Sequence, residues 1–297
     1  MNVMNSLRFI FQHPLTQNAR FAAVIRWLRW QIGSRLVPGS VIIPFVNDAR
    51  LIVQPGMTGA TGNIYCGLHE FEDMGLVLHA LRPDDLFVDI GANVGSYTVL
   101  GGGAVGAHCI SIEPIPSAFA WLQKNIAING LNEQVQALNV GLGRDDGVLY
   151  FTEGLDTMNH VVSDSEDVAN AVKVAVQTLD RVLDGVEPTL IKIDVEGFET
   201  EVMAGAKRTL ASSNLLAVIM ELNGSGGRYG FDENALHQQM LCYGFTTCCY
   251  HPFKRKLESL HGHRVSGGNT LYVRNLEKLS ERVQTAPRFQ LGIGVDV

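Results

Sequence analysis

LFVDIGANVGSYTVLGGGAVGAHCISIEP, residues Leu86 to Pro114, is the stretch from which the rest of the chain can be ordered. Its apolar run Leu86-Phe87-Val88 ends in Asp89, and Gly91, Asn93 and Gly95 follow at once in a tight turn of small residues. That pattern is a strand delivering its carboxyl end into a loop. The residues after the turn suit a short helix, and a second apolar strand, Cys109 to Ile112, closes on Glu113. Strand, glycine turn, helix, strand and acid form the layout of a nucleotide-binding βαβ unit. There the glycines bring backbone N–H groups close to the ligand, and the distal carboxylate accepts ribose hydroxyls.

Working downstream, Pro116 to Asn129 predicts a helix ended by Gly130, and Val135 to Val140 predicts a third strand. Gly147 to Phe151 and Val172 to Val176 alternate like antiparallel strands around the polar segment 152–170, which predicts an inserted hairpin. The second informative stretch is Leu190-Ile191-Lys192-Ile193-Asp194-Val195-Glu196-Gly197, a buried strand ending in acids and leading to a helix over Glu199 to Ser212. Leu215 to Met220 repeats the pattern and ends in Glu221-Leu222-Asn223-Gly224. Asp232 caps a helix to Tyr243, and Phe245 to Tyr250 and Asn269 to Val273 are the last strands.

Upstream, Val41 to Val53 reads as short strands around an Asn47-Asp48 turn. The glycine-rich segment Gly56 to Gly67 reads as a loop, and Phe71 to Leu81 as a helix. That loop is close enough in sequence to the glycine turn to fold over it. Tyr65, His69 and Glu70 are therefore candidates for ligand contact, with packing of the Tyr and capping by the Glu as the structural alternative. Residues 1 to 47 contain no acid and five arginines, Arg8, Arg20, Arg26, Arg29 and Arg35. Phe21, Val24, Ile25, Leu28 and Ile32 recur there at helical spacing, flanked by Trp27 and Trp30. An amphipathic helix of this kind either packs over the domain, the ordinary outcome, or offers a basic face to an anionic membrane or an acidic partner. The expected division is an amphipathic extension over 1–50, a catalytic domain over 51–275 and a loosely held tail over 276–297.

The 297 residues, 46% of them hydrophobic, can bury a full α/β core. A net charge of −7 excludes a general nucleic-acid binder, whose affinity depends on neutralising phosphates. Cys66, Cys109, Cys242, Cys248 and Cys249 show neither a C-x-x-C pair nor a zinc spacing, which fits a reducing compartment. No apolar run reaches the length of a membrane span. The expected location is cytoplasmic, with peripheral contact at the inner face of the membrane through residues 1–36.

The dinucleotide fingerprint fails, because Asn93 and Ser96 stand where its second and third glycines belong, and no P-loop is present. Asp89-x-Gly91-x-Asn93-x-Gly95 with Glu113 downstream resembles the first motifs of class I S-adenosylmethionine-dependent methyltransferases. FVDIGANVGSYT, SIEP, LIKIDVEGFETEVMAGA and MELN, in that order, resemble more narrowly the FkbM-type family, over about Tyr65 to Val273. The resemblance implies a doubly wound, mostly parallel seven-stranded Rossmann-like sheet with an antiparallel last strand. It implies S-adenosylmethionine held by Tyr65, Glu70, Asp89, Gly91, Asn93, Gly95, Ser96, Glu113, Pro114, Asn139, Val140 and Asp194. It also implies O-methylation of a sugar, glycolipid or polyketide-like acceptor. The alternatives are a non-catalytic binding or membrane-associated scaffold, and N- or C-methylation of a small molecule.

A sugar hydroxyl is about as weak an acid as water, near 15.7, so a base or a metal should assist its deprotonation. Asp194, Glu196 and Glu221 at the strand ends are the catalytic candidates, with Lys192, His69 and His160 as weaker ones. Asp194, Glu221 and Asn223 are the alternative all-oxygen set for Mg2+.

Overall fold

A computed structural model describes residues 3–154, 159–163, 171–264 and 268–297. The chain begins with two helices, α1 (Val3–Gln12) and α2 (Arg20–Leu36), and the antiparallel pair β1 (Val41–Pro44) and β2 (Arg50–Val53), turned at Asn47 with φ +51°. Helices α3 (Thr58–Cys66) and α4 (Phe71–Ala80) lead into β3 (Leu86–Ile90). The glycine turn opens α5 (Ser96–Thr98), which runs on into a wider-wound segment over Val99–Val105 and then into β4 (His108–Ile112), α6 (Pro116–Ile128) and β5 (Val135–Leu138). A small sheet of β6 (Gly141–Leu142), β7 (Gly147–Thr152) and β8 (Ala171–Gln177) includes the expected hairpin. The polar segment between its long strands lies largely outside the described residues. The chain continues through α7 (Leu179–Leu183), β9 (Leu190–Ile193), α8 (Glu199–Ala204), α9 (Lys207–Ala211) and β10 (Ala217–Glu221). It ends with α10 (Glu233–Cys242), β11 (Thr246–His251), β12 (Lys256–Ser259), β13 (Asn269–Val273) and α11 (Leu276–Thr285).

The main sheet has the order β12-β11-β13-β10-β9-β3-β4-β5. From β10 to β5 it is parallel, while β13, the last strand in sequence, inserts antiparallel between β10 and β11. The seven expected strands are therefore present, and β12 adds an eighth at the edge, antiparallel to β11. Helices cover both faces. Phe87, Leu190, Ala217 and Ile219 point into one buried cluster, and Val88, Ile90, Ile191 and Ile193 into the other. Each fully buried Ile or Leu is worth about 1.5–3 kcal/mol, so the central strands β3 and β9 form the rigid floor on which the loops are held. Order runs outward from β3 to β4 and β5 on one side and then restarts at β9 on the other. That reversal opens a crevice at the carboxyl ends of β3 and β9, the place where open parallel sheets bind ligands.

Four expectations are corrected by the structure. Gly56 to Gly67 is not a loop, since α3 occupies most of it. Gly62 in that helix serves close packing: a Cβ there would lie 2.0 Å from Nδ1 of His69. The helix over Glu199 to Ser212 is broken at Gly205, where a Cβ would sit 2.1 Å from the carbonyl oxygen of Gly143. The segment after 276 is no loose tail. Leu279, Val283, Phe289 and Leu291 are buried, Arg282 pairs with Asp85, and Leu291 bridges to Val46. Residue 50 is likewise no domain boundary, since Phe45, Val46 and Ala49 before it share a buried cluster with Leu51 after it.

Candidate active site

The crevice becomes a pocket because two chain crossings at the sheet's carboxyl edge lack room for side chains. Gly91 has φ +75°, and a Cβ there would lie 1.8 Å from the backbone oxygen of Asp194, so the β3 and β9 loops touch through bare backbone. Gly197 has φ +102°, and its Cβ would meet Ser225 at 2.6 Å. Asn93 and Glu196 take left-handed backbone conformations although neither is glycine, with φ +50° and +54°. Such conformations cost energy and persist where the surroundings impose them. Glu199 Oε1 imposes one of them by accepting from the N–H groups of Val195 and Gly197, at 3.2 and 3.3 Å.

Two buried acids face the pocket from the β3 and β4 ends. Asp89 is 1% exposed; its Oδ2 accepts from the Thr98 hydroxyl at 2.7 Å, while its Oδ1 has no partner among the described residues. Burial raises its pKa, and Lys192 acts in the opposite direction. Glu113 is held by the N–H groups of Asn93 (2.8 Å) and Ile115 (2.9 Å), one on each oxygen, and burial pushes it up to about 7. Each of those oxygens keeps a second lone pair for a hydroxyl.

At the β9 end, the carboxylate oxygens of Asp194, Glu196 and Glu221 all come within 4.8 Å of one another. Burial, then Asp194 and Glu196, push Glu221 up to about 8, and its Oε2 has no partner among the described residues. Burial and Asp194 also raise Glu196. Lys192 Nζ lies 2.8 Å from Asp194 Oδ2 and 4.8 Å from the centre of the Tyr97 ring. Burial works against its ammonium, yet Asp194, Glu70 and Asp89 outweigh that and hold its pKa above the ordinary value. Lys192 is therefore a fixed cation and not a base. Behind it, Tyr97 donates to Glu70 at 2.9 Å, and Asn269 bridges Glu70 and Asp73 at 2.8 Å each.

Of the residues singled out in the sequence, Glu70, Asp89, Gly91, Asn93, Ser96, Glu113, Pro114, Val140, Asp194 and Glu196 line this one pocket, as does His69. Tyr65 does not. It is buried beneath α2, where its hydroxyl accepts from Gln31 and its carbonyl from Arg26. Gly95 shapes the turn from outside, with φ +92° and a Leu122 methyl 2.6 Å from where a Cβ would stand. Asn139 braces the β4 loop by donating to the carbonyls of Glu113 and Pro114. Asn223 is exposed, and its side-chain oxygen accepts from Ser225 N at 2.9 Å, so the oxygen beside Asp194 and Glu221 comes from Glu196 instead. His160 is buried at the edge of the small sheet. Sequence reasoning missed Tyr97, Asp73 and Asn269. Tyr97 sits in the decisive stretch and could have been found there, whereas Asn269 reaches the site only because β13 inserts beside β10.

The chain matches the family described as the methyltransferase FkbM domain over residues 89–246. It belongs to the FkbM methyltransferase family. The match begins at Asp89 and takes in Glu113, Asp194, Glu196 and Glu221. The chain is also similar to Methyltransferase 1 of Beauveria bassiana, 30% identical over 148 residues, covering 41% of this chain and 59% of that protein. Hexuronic acid methyltransferase AglP of Haloferax volcanii is 27% identical over 146 residues, covering 48% of this chain and 59% of that protein. The chain thus spans 59% of the length of each of these two relatives. Among solved structures, a SAM-dependent methyltransferase from Agrobacterium tumefaciens superposes with a TM-score of 0.44 at 7% identity, covering 80% of this chain and 72% of that one.

Proposed function

We propose that this protein transfers the methyl group of S-adenosylmethionine to a hydroxyl of a saccharide-bearing acceptor. The observation that carries the reading is Asp89 Oδ1, a buried carboxylate oxygen without a partner among the described residues, in a pocket whose other wall presents Glu113. An orphaned buried acceptor costs about 1–3 kcal/mol until a donor reaches it. The amino group of S-adenosylmethionine is such a donor, the Glu113 oxygens suit the ribose diol, and the acids around the crevice suit a sulfonium cation. Saccharide as the acceptor class is supported by the hexuronic acid methyltransferase among the relatives.

When bound, S-adenosylmethionine supplies an electrophilic methyl carbon. Methyl transfer to the acceptor oxygen would break the C–S bond with the electron pair leaving on sulfur, and would require a residue of this chain to take up the hydroxyl proton. Glu196 is the proton acceptor in this reading. It lines the pocket, its raised pKa makes it a stronger base than an ordinary carboxylate, and its left-handed backbone fixes its direction. The Asp194 carboxylate, held by Lys192, adds to that basicity through its charge. Glu221, pushed up to about 8, holds a proton through most of the neutral range and shares the cluster's charge. The same three oxygens are a hard donor set of the kind Mg2+ takes. The Lys192 ammonium already supplies a positive charge there, which favours the base over the metal.

The test is incubation with methyl-labelled S-adenosylmethionine and a cell extract, followed by mass spectrometry of the labelled product. Label on a saccharide oxygen is expected. Label on nitrogen or carbon, or no labelled product at all, contradicts the reading.

A further inference from the structure

The N-terminal helices pack on the domain, but not by the face the spacing suggested. Ile10 of α1 and Ala23 and Trp27 of α2 are buried against Tyr65 and Cys66 of α3, and Arg26 donates to the Tyr65 carbonyl at 2.7 Å. At roughly 100° per residue, Phe21, Leu28, Ile32 and Leu36 form a stripe on the opposite side of α2. They are 80%, 43%, 58% and 76% exposed. Arg29 and Arg35 flank that stripe, one on each edge. Met4 and Phe11 of α1 are also exposed, and the Arg20 guanidinium reaches over the Phe11 ring. Single exposed apolar side chains are ordinary, but a continuous stripe rimmed by cations marks an interaction surface.

We propose that this face docks on an anionic lipid surface, with the apolar stripe entering the headgroup boundary and the arginines meeting lipid phosphates. The charge distribution selects this occupant. Residues 1–47 hold five arginines and no acid, while the rest of the chain carries a net charge of −12. An anionic surface attracts the helices and repels the body, which fixes the docked orientation. A second copy paired about a two-fold axis would set arginine rim against arginine rim, with no acid in this segment to answer them. Helix α2 is fastened to α3, and Gly59 and Ala60 at the start of α3 line the pocket. Docking would therefore hold the pocket beside the surface. The proposal stands apart from the methyl-transfer reading.

The test is cosedimentation of the full chain with vesicles of phosphatidylcholine alone and of phosphatidylcholine with phosphatidylglycerol. Binding to the anionic vesicles that weakens with salt is expected. Leu28→Ser with Ile32→Ser should lower the partition coefficient about tenfold or more, since each loses much of a buried side chain's transfer energy. Arg29→Gln with Arg35→Gln should cost about thirtyfold on anionic vesicles alone. Leu36→Ser, at the exposed helix end, repeats the test if the first pair fails to fold. Three results overturn the proposal: no cosedimentation with anionic vesicles, partitioning indifferent to these substitutions, or a solution dimer that the Leu28 and Ile32 substitutions convert to monomer.

Discussion

Gly91→Ala is the substitution on which the geometry makes its sharpest demand. The new Cβ would lie 1.8 Å from the backbone oxygen of Asp194, and the residue would have to hold φ +75°. The left-handed conformation costs an L-residue about 1–2 kcal/mol, and relief of an overpacked contact costs about 1–3 kcal/mol more. The obstacle is backbone, so it can yield only by parting the β3 and β9 loops. To reach an ordinary contact near 3.4 Å the two must separate by about 1.5 Å. A misplacement of about 1 Å can cost on the order of a hundredfold in rate. Gly91→Ala should therefore lose about 2–5 kcal/mol of stability in urea unfolding and at least tenfold in affinity for S-adenosylmethionine by calorimetry. Gly147→Ala, where a Cβ meets nothing within 4 Å, should leave both near wild type. If Gly91→Ala matches wild type in both measurements, the crossing of the two loops is not as described.

Glu196→Gln should lower kcat by about 10²–10⁴-fold while leaving cofactor affinity within a few-fold; a kcat within twofold of wild type refutes Glu196 as the base. Treatment with EDTA should leave activity unchanged, whereas loss restored by Mg2+ would assign Asp194, Glu196 and Glu221 to a metal. Thermal stability of the ligand-free protein should fall as pH rises from about 5 to about 8, because the raised carboxyls outweigh the lowered imidazoles. Burial pushes Asp73, Glu113 and Glu199 up to about 7 and Glu221 to about 8, so the stability these groups permit below the ordinary carboxylate range is lost as pH rises through 7 to 8. Burial pushes His13 and His79 down to about 4, so their contribution is present above about 6.5 and is lost as pH falls toward 4. A melting temperature that rises steadily from pH 5 to 9 contradicts this balance.

The parallel core was legible because each of its strands announces itself twice, by an apolar run and by the acid or glycine that ends it: Val88-Asp89, Ile112-Glu113, Ile193-Asp194 and Met220-Glu221. What escaped was set by contacts between distant segments. The small residues of Thr58 to Asn63 have the composition of a loop, and only the partners packed on Gly62 make them a helix. Gly205 breaks a helix because of Gly143, more than 60 residues earlier. The face by which α2 packs could not be read from its own periodicity, since apolar residues lie on both sides and α3 decides which side is covered. In the pocket, most of the acids could be named from strand ends. The role of Lys192 could not, because its charge state follows from three carboxylates on separate elements.

The central claim, that this pocket receives S-adenosylmethionine through Asp89, is tested most directly by calorimetric titration of the cofactor into the wild-type protein and into Asp89→Asn. Thr98 donates to Oδ2, so the amide can keep that bond by presenting its oxygen there, and this turns its NH2 toward the place of the orphaned Oδ1. A donor would then face the cofactor's ammonium where an acceptor is required. Binding by the wild-type protein and a loss of at least about tenfold in Asp89→Asn, the scale of one charge-assisted hydrogen bond of about 1.5–3 kcal/mol, is the predicted result. No measurable heat of binding from the wild-type protein, or equal affinity in the two, would contradict it.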